Sequence, residues 1–240
     1  MYRDPRGGHN RKGVNEHFFK TWSPQMAYVL GLIYADGAVE DVRQSSRTCY
    51  LQLSSVDKEL LESVRTALSS KHAISMRRSQ SRLFFGKRYL CSDLFTLRIG
   101  NKLMYQDLVD KGLTPNKSKT MHFPEIPSDY LNFYIRGYFD GDGCVNVETP
   151  DGRRWPNIQV IFTSGSYEYL YVLMQNLRSA IDTSHMRIRK SHRAFRLRYR
   201  KGNCLKIPSF MYTELDKAPY LARKYEKYRS YIEEYDNISR

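Results

Sequence analysis

Two apolar runs of helical length close on a carboxylate followed by glycine: Ala27-Tyr-Val-Leu-Gly-Leu-Ile-Tyr-Ala-Asp-Gly37 and Phe133-Tyr-Ile-Arg-Gly-Tyr-Phe-Asp-Gly-Asp-Gly143. Gly137, Gly141, Asp142 and Gly143 stand where the first run has Gly31, Ala35, Asp36 and Gly37, at one constant offset, so the chain contains an internal repeat. Ser23 is a good N-cap and Pro24 a good first helical residue, while Gly37 is expected to take the left-handed conformation that stops a helix. Gly31 and Ala35 share one helical face, as do Gly137 and Gly141, which lets two such helices pack backbone to backbone.

Behind each run the pattern changes from helical to alternating. Residues 38–40 and 48–54 are expected as strands, with Cys49, Leu51 and Leu53 alternating against Thr48, Tyr50 and Gln52. A helix over 55–68 follows on the stripe Leu60, Leu61, Val64 and Leu68. Strands near 74–79 and 94–99 flank a basic stretch with Arg82, Lys87 and Arg88, and a helix over 101–111 stops at Gly112. The second run is followed by the same order: strands at 143–147 and 157–163, a helix over 166–181, then strands at 186–189 and 194–199. An amphipathic helix over 220–235 comes last. The pattern predicts an α+β chain of two pseudo-symmetric αββαββα halves, residues 23–113 and 129–240. Residues 114–128, with Pro115, Pro124 and Pro127, form an extended linker, and residues 1–22 a flexible basic extension.

Charge narrows the partner. With 39 Lys plus Arg against 25 Asp plus Glu the chain carries +14, which suits a polyanion but would also suit a basic ribosomal or membrane-surface protein. Residues 185–201 carry eight Lys and Arg and no acid; Phe195, Leu197 and Tyr199 point one way along a strand, and Arg196, Arg198 and Arg200 the other. A merely solvated face mixes signs, so an all-basic strand points to nucleic acid. The first half offers Arg77, Arg78, Arg82, Lys87, Arg88 and Arg98, and outward Gln52, Asn157 and Gln159 are candidates for reading adenine. The four cysteines stand singly, without zinc or disulfide spacing. With no apolar run of membrane length and no signal-peptide core, the expectation is a protein of the cytoplasm or an organelle matrix, not secreted.

Packed side by side, the two helices would bring Asp36 and Asp142 together at their ends, where mutual repulsion is ordinarily relieved by a divalent cation. One Asp-Gly would be an ordinary turn; two in register are not so explained. Leu30-Gly-Leu-Ile-Tyr-Ala-Asp-Gly37 and Ile135-Arg-Gly-Tyr-Phe-Asp-Gly-Asp-Gly143 resemble the two motifs of single-chain LAGLIDADG homing endonucleases. Trp22-Ser-Pro-Gln-Met-Ala-Tyr-Val-Leu-Gly31 is similar to the motif lead-in of free-standing microbial members, and the resemblance runs over residues 15–235. Tyr34 departs from the family at the earlier acid of the first motif.

The resemblance implies a two-helix interface between curved antiparallel sheets that form a DNA-binding saddle. It implies a monomer that hydrolyses both strands of a long asymmetric double-stranded DNA target and leaves short 3′ overhangs. Asp36 and Asp142, with the carbonyls of Ala35 and Gly141, would hold metal. Mg2+ is expected, with Mn2+ substituting and Ca2+ supporting binding without cleavage. The family places a lysine late in each half. Lys117 and Lys224, nearly equally far from their aspartates, fill these positions, with Lys119 and Arg223 as substitutes; Ser55 and Ser164 stand where some members position water. The DNA-contacting set would be Gln52, Arg77, Arg78, Arg82, Arg98, Gln159, Arg187, Arg189, Arg193, Arg196, Arg198 and Arg200. A non-cleaving binder on the same scaffold, an intron RNA maturase or DNA-binding regulator, is the alternative, and a basic ribonucleoprotein component a third class.

Overall fold

The computed structural model describes residues 12–43, 48–79, 81–84, 86–90, 92–148, 157–200 and 202–239. Helix α1 (Pro24–Asp36) begins as its sequence predicts: the Ser23 hydroxyl accepts the Met26 N–H at 3.1 Å and Pro24 takes the first position. Every residue from Met26 to Tyr34 is buried, so this helix has no solvent face. It runs into β1 (Gly37–Asp41), followed by β2 (Cys49–Ser55), α2 (Lys58–Ala67), β3 (Ile74–Arg77), the hairpin β4 (Ser81–Phe84) and β5 (Lys87–Leu90), β6 (Leu94–Gly100) and α3 (Lys102–Asp110). A 3-10 turn at Lys117–Lys119 and another at Ser128–Tyr130 lead to α4 (Leu131–Asp142), β7 (Gly143–Glu148), β8 (Asn157–Ser164), α5 (Tyr167–Ile181), β9 (Arg189–Lys190), β10 (Phe195–Arg200), α6 (Asn203–Met211) and α7 (Ala222–Ser239).

The halves build equivalent antiparallel sheets, ordered β1-β2-β6-β3 and β7-β8-β10-β9. In each, one face packs on helices and the other stays open. Cys49, Leu51, Leu53, Leu97 and Ile99 fill the first core, and Val145, Val160, Phe162, Leu197 and Tyr199 the second. The αββαββα order is thus present in each half, with a short extra hairpin inserted in the first.

The halves meet along α1 and α4, and glycine sets how close they come. A Cβ built on Gly31 would lie 2.1 Å from the Tyr134 carbonyl oxygen, and one on Gly137 only 2.0 Å from that of Tyr28. Gly37 departs from expectation: its φ of −87° and ψ of 155° are extended, not left-handed, and the chain passes straight from helix to strand. Glycine is needed there for closeness, since a Cβ would sit 2.7 Å from the Ile33 Cα. Gly112, where the sequence places the end of that helix, takes the left-handed conformation at φ +88°.

Three further differences have local causes. The basic stretch between β3 and β6 folds back on itself through Gly86 at φ +73°. The strand expected over 186–189 shrinks to Arg189–Lys190, paired only with Phe195 and Arg196. Helix α6 was hidden by the interior Pro208, which normally argues against a helix. Among the described residues no helix is long and apolar enough to cross a membrane.

Candidate active site

Asp36 and Asp142 are the last residues of α1 and α4 and come together at the helix junction. A Cβ on Gly141 would lie 2.3 Å from the Ala35 Cβ and 3.1 Å from Oδ2 of Asp36, so the second motif's backbone passes directly beside the first motif's carboxylate. Asp36 keeps accessible surface and Asp142 is half-buried. Loss of hydration raises the Asp36 pKa, with Lys224 and Lys117 pulling it back. Asp142 is pushed up to about 6, by loss of hydration first and by the charge of Asp36 second, against Lys117 and Lys224.

Two lysines complete the cluster. Lys117 is almost wholly buried, and its ammonium donates to the carbonyl of Gly37. Lys224, equally buried, donates to the carbonyls of Gly143 at 2.6 Å, Phe139 and Asp140 at 2.7 Å each, and Gly141 at 3.2 Å. Each lysine therefore caps the carbonyl end of its own motif helix at the glycine after the aspartate, where the helix dipole is negative. Burial lowers both lysine pKa values and the neighbouring carboxylates oppose that fall. Of the alternatives, Lys119 is exposed, and Arg223 is bound to Asp57. The hydroxyls of Ser55 and Ser164 accept the N–H of Asp57 and Ser166, so both shape the strand-to-helix turn.

Among the described residues no three His, Cys, Asp or Glu side chains gather as a metal cage. Two crowded carboxylates with backbone oxygens nearby fit a hard dication that fills the rest of its shell with water or phosphate. The Ala35 and Gly141 carbonyls belong to the same helix ends, although that of Gly141 already accepts from Lys224.

The open sheet faces begin at this cluster, through Ala38 and Cys144, which pair with Gln52 and Ile161. In the second half Arg187, Arg189, Arg196, Arg198 and Arg200 line a groove of about 360 Å3, and Arg193 is exposed in the loop between β9 and β10. None of these six has an acidic partner among the described residues. Asn157 is exposed, whereas Gln159 shares the open face by register but retains only 8% exposure beneath its neighbours. In the first half Arg77 and Arg78 are exposed, and Gln52 lies opposite Arg98. Arg98 itself is taken up by Glu40 at 2.8 Å and stacks 3.9 Å over the Tyr50 ring. Arg82 pairs with Tyr89 in the hairpin, and its side chain, like that of Lys87, falls outside the described ones.

One network behind the site was not expected from the sequence. The Asp140 carboxylate accepts from the Tyr28 hydroxyl at 2.8 Å and the Leu221 N–H at 2.7 Å, while the fully buried Arg136 donates to the carbonyls of Thr213 and Ala218. Two charged residues inside an otherwise apolar motif helix were the signal. Burial pushes Asp140 up to about 6.

Raised carboxyl pKa values fix a sign. The folded chain holds protons on Asp140 and Asp142 that an unfolded chain releases above the usual carboxylate value of 3.8. Stability of the metal-free protein should therefore rise as pH falls from 7 through about 6 toward 4. Melting in chelator across that range checks it, and Asp142→Asn should flatten the profile.

The model of the LAGLIDADG-like domain matches residues 129–206. The chain is 26% identical over 205 residues to the probable translation initiation factor IF-2 of Methanocaldococcus jannaschii; the match takes in 81% of this chain but spans only 15% of that protein's length. Among solved structures, the LAGLIDADG meganuclease I-AabMI bound to uncleaved DNA superposes with a TM-score of 0.56 at 15% identity, over 91% of this chain and 92% of that one. The LAGLIDADG homing endonuclease I-LtrWI bound to target DNA gives 0.54 at 14% identity, over 94% and 92%. The homing endonuclease I-WcaI bound to its DNA recognition sequence gives 0.54 at 12%, over 86% and 92%.

Proposed function

We propose that this chain, which has the fold of the LAGLIDADG homing endonucleases, is a monomeric site-specific endonuclease that hydrolyses both strands of a long, asymmetric double-stranded DNA target and leaves short 3′ overhangs. The observation that carries the reading is the meeting of Asp36, Asp142, Lys117 and Lys224 at the junction of two open sheets, one of them lined by arginines with no acidic partner among the described residues. Asp36 and Asp142 would hold the dication, Mg2+ with Mn2+ as substitute, and when bound it would supply charge neutralisation and a lowered pKa for the attacking water. Ca2+ supports binding without cleavage. Lys117 and Lys224 bring positive charge to where a scissile phosphate gains negative charge, and their burial keeps that charge from being screened. The outward side chains of the sheets lie along the major groove, where the arginines neutralise phosphates and pair with guanine, and Gln52 or Asn157 pairs with adenine. Unlike halves demand an asymmetric target.

A plasmid in which the two genomic flanks of this reading frame are joined tests the proposal: it should be linearised in Mg2+. DNA binding with no cut in Mg2+ or Mn2+ would instead mark a non-cleaving binder. Affinity should fall with log salt, by a slope of about −0.9 for each phosphate neutralised. Arg196→Ala and Arg198→Ala should each flatten that slope by about one. Arg98→Ala should leave it nearly unchanged, because Glu40 already neutralises that guanidinium.

A further inference from the structure

We propose that the two lysines are positioned crosswise, each on a segment seated against the first turn of the other half's middle helix, with Asp57, Arg223 and Gly165 as the positioning residues. The inference rests on the endonuclease reading for its consequence, though not for its geometry.

The middle helices are α2 and α5, and the turns that enter them match. The Ser55 hydroxyl accepts the Asp57 N–H at 3.1 Å, and the Ser164 hydroxyl accepts the Ser166 N–H at 3.0 Å. Ser166 then caps its helix by accepting the Tyr169 N–H. Asp57, as good a capping residue, makes no cap bond. Both of its carboxylate oxygens go instead to Arg223, with Nε at 3.0 and 3.1 Å and Nη2 at 2.9 Å. Arg223 adjoins Lys224 at the start of α7. The first half has given up a helix cap to hold the second half's lysine segment.

The reverse contact is made by an absent side chain. A Cβ on Gly165 would lie 2.1 Å from the carbonyl oxygen of Ser118, the residue after Lys117 in its 3-10 turn. Val56, at the matching place in the first half, is 50% exposed. The turn bearing Lys117 thus rests on the second half, while its ammonium reaches back to Gly37 in the first.

Releasing one seat should disturb one lysine, and the two seats should affect opposite strands. With each strand of the joined-flank duplex end-labelled, Asp57→Ala should slow one strand by about 10- to 100-fold relative to the other, so that nicked duplex accumulates. Gly165→Ala should slow the opposite strand. The reversed pair, Asp57→Arg with Arg223→Asp, should recover even cutting more fully than either change alone. A second readout does not need cleavage: acylation of lysines read by mass spectrometry should find Lys224 protected in the parent and labelled in Asp57→Ala, and Lys117 labelled in Gly165→Ala. Equal slowing of both strands, the same strand slowed by both variants, or unchanged labelling overturns the crossed seating. A parent protein that cuts nothing while the labelling changes appear would sink the endonuclease reading and leave the seating intact.

Discussion

Asp142→Asn should stop cleavage and at the same time make the protein more stable at pH 7. The two effects have one source. Asp142 carries its charge in poorly hydrated surroundings beside Asp36, and its pKa of about 6 records what that charge costs the fold. The amide keeps the shape and removes the charge, so repulsion at the helix ends disappears. On the proposed reading, removal of one of the two side-chain anions that the described residues offer a dication should lower the single-turnover rate by about three orders of magnitude, roughly 4 kcal/mol of transition-state stabilisation. Asp36→Asn should act alike on the rate. Duplex binding, which the proposal assigns to the sheet arginines, should stay within a fewfold of the parent. Cleavage rates, fluorescence anisotropy on labelled duplex and melting temperature measure the three quantities separately. Undiminished cutting by either variant would remove both aspartates from the chemistry; cutting lost together with stability would mean only that the fold was damaged.

Much of this site was legible because glycine and aspartate recur in register, and a repeat constrains both copies at once. The family resemblance pointed to Lys117 and Lys224, at nearly equal distances along the chain from their aspartates, and the structure brings both ammonium groups to equivalent glycine carbonyls. Strict alternation in β2 and β10 gave the inward and outward faces. What stayed hidden depended on contacts between distant residues. Nothing near Arg98 in the chain announces Glu40 as its partner, or Asp57 as that of Arg223. The burial of Gln159 likewise arises from what lies across β7 and β10. Gly37 was assigned to the right place for the wrong reason: a glycine after a helix suggests positive φ, but here the limit is the crowding of Ile33.

Gly137→Ala should be among the most damaging conservative changes in the chain, although alanine is the better helix former. In an isolated helix the exchange would gain about 1 kcal/mol. In α4 the new methyl would sit 2.0 Å from the Tyr28 carbonyl oxygen and 3.0 Å from the Leu32 nitrogen. Carbon and oxygen tolerate about 3.3 Å, and backbone atoms have no rotamer to escape into, so α1 and α4 must separate by roughly 1 Å. Overpacking of a core costs about 1–3 kcal/mol, and here the shift carries two whole helices, which puts the penalty at about 3 kcal/mol or more. The clash wins by roughly 2–3 kcal/mol, a fall in melting temperature of about 4–12 °C for a chain of this size. Cleavage should fall further than stability alone requires, because the same separation draws apart the carboxylates at the helix ends. Gly202→Ala is the control: that glycine has φ −54° and nothing within 4 Å of a built Cβ. If Gly137→Ala and Gly202→Ala melt together, the helices do not touch along their glycines, and the juxtaposition of Asp36 and Asp142 loses its support.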